Sequence, residues 1–199
     1  MKKLLILLLI ITVFVSGCIG QTEKQEETTS TISTTTMPKI ATKEVSQMAL
    51  QLLDMSSSNY TIKERAERVR ADVSPDALDL GWKRGYYVSF ARIGESIFDI
   101  TAIEHLISIY PIENISKVLT TIPRESTENI TFNELSRLDI GDDSRAYRID
   151  AKNEFGTEYR YYQIEFVKMD VYMSLYMTGT STDYELLKDL AKKAESRIS

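Results

Sequence analysis

Between Gln21 and Thr36 the chain reads QTEKQEETTSTISTTT, with Ile32 as its only large apolar side chain. Such a tract cannot bury enough surface to offset the ordering entropy of its backbone, about 1–2 kcal/mol per residue. It therefore divides the chain. The composition becomes globular from about Lys39. The residues from there to Ser199 give room for one domain of about 150 residues. A hydrophobic content of 43% is enough for a packed core.

Before the tract, Lys2 and Lys3 precede an apolar run, Leu4 to Val15. That run is shorter than the roughly 20 residues that span a bilayer. It fits the hydrophobic region of an export signal, followed by the small residues Ser16 and Gly17. The only cysteine, Cys18, comes next. Val15-Ser16-Gly17-Cys18 resembles the lipobox of prokaryotic lipoproteins, and the Cys-Ile-Gly continuation is similar to archaeal ones. The resemblance implies a signal peptide over 1–17, cleavage before Cys18 and an acyl chain such as palmitate on its thiol. The membrane is then a partner through Cys18, on its extracytoplasmic face. An ordinary secreted protein, or an uncleaved anchor with an incidental cysteine, is the alternative. On the lipoprotein reading, 18–38 is the lipidated cysteine with a disordered tether, and 39–199 is a single globular domain. As a coil the tether spans about 25 Å, and fully stretched about 70 Å.

The formal net charge is −5, with both signs mixed along the chain. No basic stripe is available for phosphate contacts, which argues against nucleic-acid binding. A single cysteine forbids an intramolecular disulfide. A single histidine, His105, excludes any site that needs two imidazoles.

Within the domain, Val45, Met48, Ala49, Leu52 and Leu53 recur at helical spacing and predict an amphipathic helix over Lys43–Met55. Asn59–Val69 reads as a strand over its first half. Ser74-Pro75-Asp76 is a helix start, with a capping serine and proline in the first turn, and Gly81 ends that helix. Gly85–Ala91 and Ile97–Tyr110 are β-rich runs suited to one antiparallel sheet. Pro111 opens a helix with Ile112, Ile115, Val118 and Leu119 on one face, finished before Pro123, and Arg124–Asn129 is polar. A turn at Gly141–Ser144 launches a strand over Arg145–Asp150. Tyr159–Val167 and Val171–Thr178 form a hairpin, although Lys168-Met169-Asp170 lacks the usual turn glycine. Asp183 caps a final helix whose stripe is Leu186, Leu187, Leu190, Ala191, Ala194 and Ile198.

Helices before, between and after the strands predict an α+β architecture, an antiparallel sheet flanked by helices. The segment LDIGDDSRAYRI, a hairpin ending in MTGT, and LLKDLAKKAESRI together resemble the closing half of Mog1/PsbP-like domains. Small secreted lipoproteins carry similar domains. The resemblance implies an α/β/α sandwich and a binding or assembly role. It carries no catalytic residue.

Four features could carry chemistry. His105, beside Glu104, has Ile103 and Ile107 as its neighbours two positions away, so it reads as a packed sheet histidine without a catalytic partner. Asp139, Asp142 and Asp143, with Glu134 nearby, supply oxygens, but glycine precedes these aspartates where a calcium loop has it following. They read as turn and strand-capping residues, and neither a metal nor a cofactor is expected. Eleven tyrosines include Tyr172 and Tyr176 on one face of their strand and Tyr159 and Tyr161 on one face of the preceding one. On a less buried face the four would make an aromatic platform; the other reading has helices cover both faces, with hydroxyls at the rim. Asn59, Asn114 and Asn129 begin N-x-S/T triplets that glycans could use on an exported protein, Asn129 being the most accessible.

These features point to a surface-displayed, lipid-anchored binding or accessory protein of the envelope, monomeric, taking an envelope protein or a small ligand. It is not an enzyme on this reading. The rivals are a hydrolase using carboxylates, which no motif supports, and a purely structural envelope protein.

Overall fold

Residues 39–56, 59–96, 99–121 and 126–199 are described by the computed structural model. The expected signal peptide, Cys18 and the expected tether, residues 1–38, lie outside the described residues. So do the residues around Pro123 at which the third helix was to end.

The β-rich runs pair with one another in a single seven-stranded antiparallel sheet. Its strands are β1 (Tyr60–Arg68), β2 (Arg84–Ile93), β3 (Ile100–Ile109), β4 (Ile130–Glu134), β5 (Asp143–Lys152), β6 (Glu158–Lys168) and β7 (Val171–Gly179). The spatial order is β1-β2-β3-β7-β6-β5-β4. The closing hairpin thus enters the middle of the sheet, between β3 and β5. The helices are α1 (Val45–Met48), α2 (Pro75–Asp79), α3 (Ile115–Thr121) and α4 (Tyr184–Glu195). They divide between the two faces, which is the α+β sandwich implied by the Mog1/PsbP-like resemblance.

Side chains alternate across the sheet, so each strand serves two cores. On one face Val88, Phe90, Ile103, Ile107, Ile164, Phe166, Met173, Leu175 and Met177 join Met48 of α1 and Leu187, Leu190, Ala191 and Ala194 of α4. On the other face Trp82, Tyr110, Val167 and Tyr172 gather with Ala77 of α2 and Ile115, Val118 and Leu119 of α3.

Local chemistry explains the ends of these elements. Ser74 accepts a hydrogen bond from the Ala77 amide, and Asp183 accepts from the amides of Glu185 and Leu186, satisfying donors that the first helical turn leaves free. Gly141 leads into β5 at φ 68°, and a Cβ there would collide with the Val167 carbonyl. The hairpin turn without glycine is made by Met169 at φ 57°. A left-handed non-glycine residue costs about 1–2 kcal/mol. Its amide is held by Asp142 Oδ2 at 2.8 Å, while Asp170 Oδ1 accepts the Ala41 amide at 2.8 Å. The turn is thus secured from two distant parts of the chain.

Four expectations need correction. The helix over Lys43–Met55 shrinks to α1. Ala49 is extended, and the Leu50 amide donates to His105 Nδ1 at 3.2 Å in place of a helical carbonyl. Met48, Ala49 and Leu50 bury consecutively as a strap, leaving Leu53 93% exposed. The half-strand at Asn59–Val69 extends as β1 along nearly all of β2, with a bulge between Ile62 and Glu64. Pro111 heads a turn, with α3 beginning only at Ile115. Finally β4 has no counterpart in the reading above. It is a short edge strand, Ile-Thr-Phe-Asn-Glu, whose pairing with β5 decides its conformation. The β1 edge carries Lys63, Glu64, Arg65, Glu67 and Arg68, which blunt it against pairing with foreign strands.

Candidate functional site

The second core stops partway along its face. Beneath α2 and α3 it seals Tyr172, 4% exposed, whose hydroxyl donates to Glu165 Oε1 at 2.7 Å. Tyr110 meets Tyr172 edge-on, with centroids 6.4 Å apart. Beyond that cover, toward the β5–β6 turn, the same face carries half-buried tyrosines and short polar side chains.

The register sets them in rows. One row crosses the sheet as Glu64, Ser89, Glu104, Tyr176, Gln163 and Tyr147. The neighbouring row toward the covered end holds Tyr87, Leu106 and Ser174. Tyr161 lies diagonally to Tyr176, with ring centroids 6.1 Å apart and planes at 63°. Tyr159 stacks beside Tyr161 at 6.2 Å with planes at 13°. These are aromatic geometries worth about 0.5–1.5 kcal/mol each beyond burial.

Electrostatics links two of the rings to one carboxylate. The Tyr87 hydroxyl is raised above the usual tyrosine range chiefly by burial, with the nearby carboxylates of Glu104 and Glu64 adding to the effect against an opposing pull from Ser89. Tyr176 is raised by burial first and then by Tyr161 and Glu104. Tyr161 is raised by burial and by Tyr159. All three hydroxyls therefore stay protonated and neutral at physiological pH, those of Tyr87 and Tyr176 in the field of Glu104. Deeper in the face, Gln163 Nε2 donates to Glu165 Oε1 at 2.9 Å and to Ser174 Oγ at 3.3 Å.

Of the four tyrosines singled out by alternation, Tyr159, Tyr161 and Tyr176 come together, and Tyr172 does not. Its place under α3 removes it from any exposed platform. Tyr87 and Glu104 join the group unannounced. Their parity was legible, since Ile103, His105 and Ile107 point the other way. Their neighbourhood was not, because it depends on β7 lying beside β3.

The remaining candidates fall elsewhere. His105 is fully buried on the opposite face, under the strap. Burial, and secondarily the Arg197 guanidinium, lower it to about 3 against a smaller opposing pull from Asp54. Asp142 is engaged by the Met169 amide, and Asp143 by the Ser144 amide and by Arg137 at 3.0 Å. Asp139 and Glu134 are exposed. Among the described residues no group of three or more His, Cys, Asp or Glu could hold a metal ion. Asn114 donates to the Leu80 carbonyl at 3.1 Å and accepts from Lys117 at 3.2 Å, so its amide is occupied. Asn59 is exposed at the head of β1. Asn129 is exposed beside an open, polar cleft of about 480 Å³ lined by Thr131, Asp150 and Arg160 among others. No helix among the described residues is long and apolar enough to cross a membrane.

No protein-family model matches this chain. Nor does any curated protein sequence match. Among solved structures, the fold is similar to the extracellular domain of PknH from Mycobacterium tuberculosis, with a TM-score of 0.57 and 11% identity. The match covers 80% of this chain and 97% of that one, so the likeness takes in the whole sandwich.

Proposed function

We propose that this chain is a lipid-anchored, surface-displayed binding or accessory protein of the prokaryotic envelope, of archaeal type, and that the open tyrosine face is its binding surface. The observation that carries this reading is the part of the central sheet that, among the described residues, α2 and α3 do not cover, carrying the half-buried Tyr87, Tyr159, Tyr161 and Tyr176. Tyrosines offer large, rigid contact area with a polar tip, the chemistry enriched where proteins recognise partners. The lipobox-like Val15–Cys18 and the Thr-rich tract supply anchor and leash. The fold of an extracellular domain in another protein supports the same station outside the cell.

The geometry suits display. Lys39 to Lys43 joins the domain beside the β6–β7 turn and the end of the chain, where Thr42 donates to Ser199 and Lys43 to Arg197. Tyr176 lies five residues along β7 from Val171, about 17 Å from that end, and Tyr161 lies farther still. The aromatic face is thus held away from the attachment point. A non-enzymatic role accords with a buried, neutral His105 and with aspartates spent on turns.

Photo-crosslinking in intact cells tests this reading. A benzophenone side chain at the Tyr161 position should give a discrete adduct in the membrane fraction, and one at the exposed Lys192 position should not. Cys18→Ser should release the protein or leave an uncleaved precursor. Equal labelling from both positions, or none from either, overturns the assignment of the face. An unmodified Cys18 thiol in membrane-bound protein overturns the anchor.

A further inference from the structure

We infer that the open face receives a basic segment of a protein partner, with Glu104 as the group its lysine or arginine meets; this rests on the binding reading above. The argument begins with a contrast among carboxylates. Asp54, Asp143, Asp150, Glu158, Glu185 and Glu195 each hold a lysine or arginine within 4 Å. Glu104 holds none among the described residues, and Tyr87 lies diagonally to it on the neighbouring strand. Its neighbours on the face are Ser89, Tyr176, Leu106 and Ala102, none of them cationic. Glu64, two strands away in the same row, adds a second carboxylate about 10 Å off. Among the described residues the centre of the face is therefore negative and lacks an internal counter-charge.

The rings add to this. Tyr87 and Tyr176 flank Glu104 with neutral aromatic groups and Tyr161 packs on Tyr176, and an ammonium or guanidinium gains from the faces of such rings as well as from the carboxylate. The short side chains Ser89, Ala91 and Ala102 keep the floor low beside the taller tyrosines. An acidic segment or a nucleic-acid backbone would meet repulsion at the same point. The shape selects the source of the cation. Small ligands bind in concave sites that bury most of their surface, whereas these residues spread from β2 to β6 on an open sheet. An extended basic segment can cover that span and still place one cation over Glu104.

Titration calorimetry with the full chain in detergent micelles tests the proposal. The probes are a peptide of alternating glycine and lysine, its glycine–glutamate counterpart, and tetramethylammonium. The lysine peptide should bind, lose affinity about tenfold with Glu104→Gln, and weaken as salt is raised. Glu158→Gln, beside Lys152 on the other face, should leave the affinity unchanged. Absence of lysine-peptide binding, equal binding of the acidic peptide, or indifference to Glu104→Gln overturns the proposal. Tetramethylammonium matching the peptide also overturns it, in favour of a small ammonium ligand. If the crosslink from position 161 survives while the lysine peptide fails, the binding face stands and only its basic preference falls.

Discussion

The two faces of the sheet follow opposite rules. The face under α1 and α4 is dry and apolar, with Phe90, Ile103, Met173, Leu175 and Met177 all essentially inaccessible. The opposite face is apolar beneath α2 and α3 and then turns largely to tyrosine, serine, glutamine and glutamate, with Ile149 buried opposite Tyr161. One strand carries both patterns. In β7, Val171, Met173, Leu175 and Met177 enter the first core, while Tyr172 is sealed and Tyr176 is left half-open. The difference teaches that the fold and the proposed recognition surface are separable here. Substitutions on the first face should unfold the domain, and those on the open face should leave it folded.

The largest effect should come from α4. Leu187 and Leu190 are wholly buried against the sheet. Truncating either to alanine should cost about 2–5 kcal/mol, a large part of the 5–15 kcal/mol available to a domain. Lys192→Ala, on the exposed side of the same helix, should change stability by no more than about 0.5 kcal/mol. Urea melts of the three variants check this. Equal losses would mean that the first face does not dominate the fold.

Acid should strike the first face next. His105 is neutral in the folded protein, with Nδ1 accepting from the Leu50 amide, and burial lowers it to about 3. Above pH 6.5 it is neutral in both folded and unfolded chains, and its contribution to stability is whole. Between 6.5 and about 3 the unfolded chain takes up a proton that the folded chain refuses. Stability therefore falls with pH, by up to about 1.4 kcal/mol per unit, or about 3 kcal/mol at pH 4.5. His105→Gln keeps an acceptor for Leu50 and removes the titration. Its melts at pH 7.5 and 4.5 should differ by about that much less than those of the parent. An unchanged difference would place the acid sensitivity elsewhere.

What could be read from the sequence follows the same division. Elements whose own pattern decides them were legible. Examples are α4, with its Asp183 cap and leucine stripe, and the β6–β7 hairpin, whose alternation puts Met173 and Leu175 opposite Tyr172 and Tyr176. Elements decided by distant partners were not. The strap at Ala49–Leu50 abandons a helical spacing because His105, on β3, takes the Leu50 amide. The short strand β4 exists because β5 offers it an edge. The proposed binding face falls between these cases. Alternation grouped Tyr159 with Tyr161 and Tyr172 with Tyr176, but only strand order sets Glu104 beside Tyr176 and only the reach of α3 separates Tyr172 from the rest.

That separation gives the third test. Tyr172→Phe deletes a buried hydroxyl that donates to Glu165 at 2.7 Å. A hydrogen bond to a buried carboxylate is worth about 1.5–3 kcal/mol, so a loss of about 2 kcal/mol is expected in the same melts. A loss under about 0.5 kcal/mol would show that the covered end of the second face tolerates change as the open end does.

The smallest effect on stability should come from Tyr161→Ser. The ring is half-buried, stacked beside Tyr159 and edge-on to Tyr176, with no hydrogen-bonded neighbour left buried by its removal. Two ring contacts at about 0.5 kcal/mol each set the scale of the loss, near 1 kcal/mol. Nothing in the first core touches the ring, so the pH dependence carried by His105 should be unaltered. Amide hydrogen exchange should then show β3 and β7 as protected in the variant as in the parent, even where partner crosslinking is lost. A loss of several kcal/mol, or faster exchange across β7, would mean that the tyrosines are structural and that the two faces fold as one.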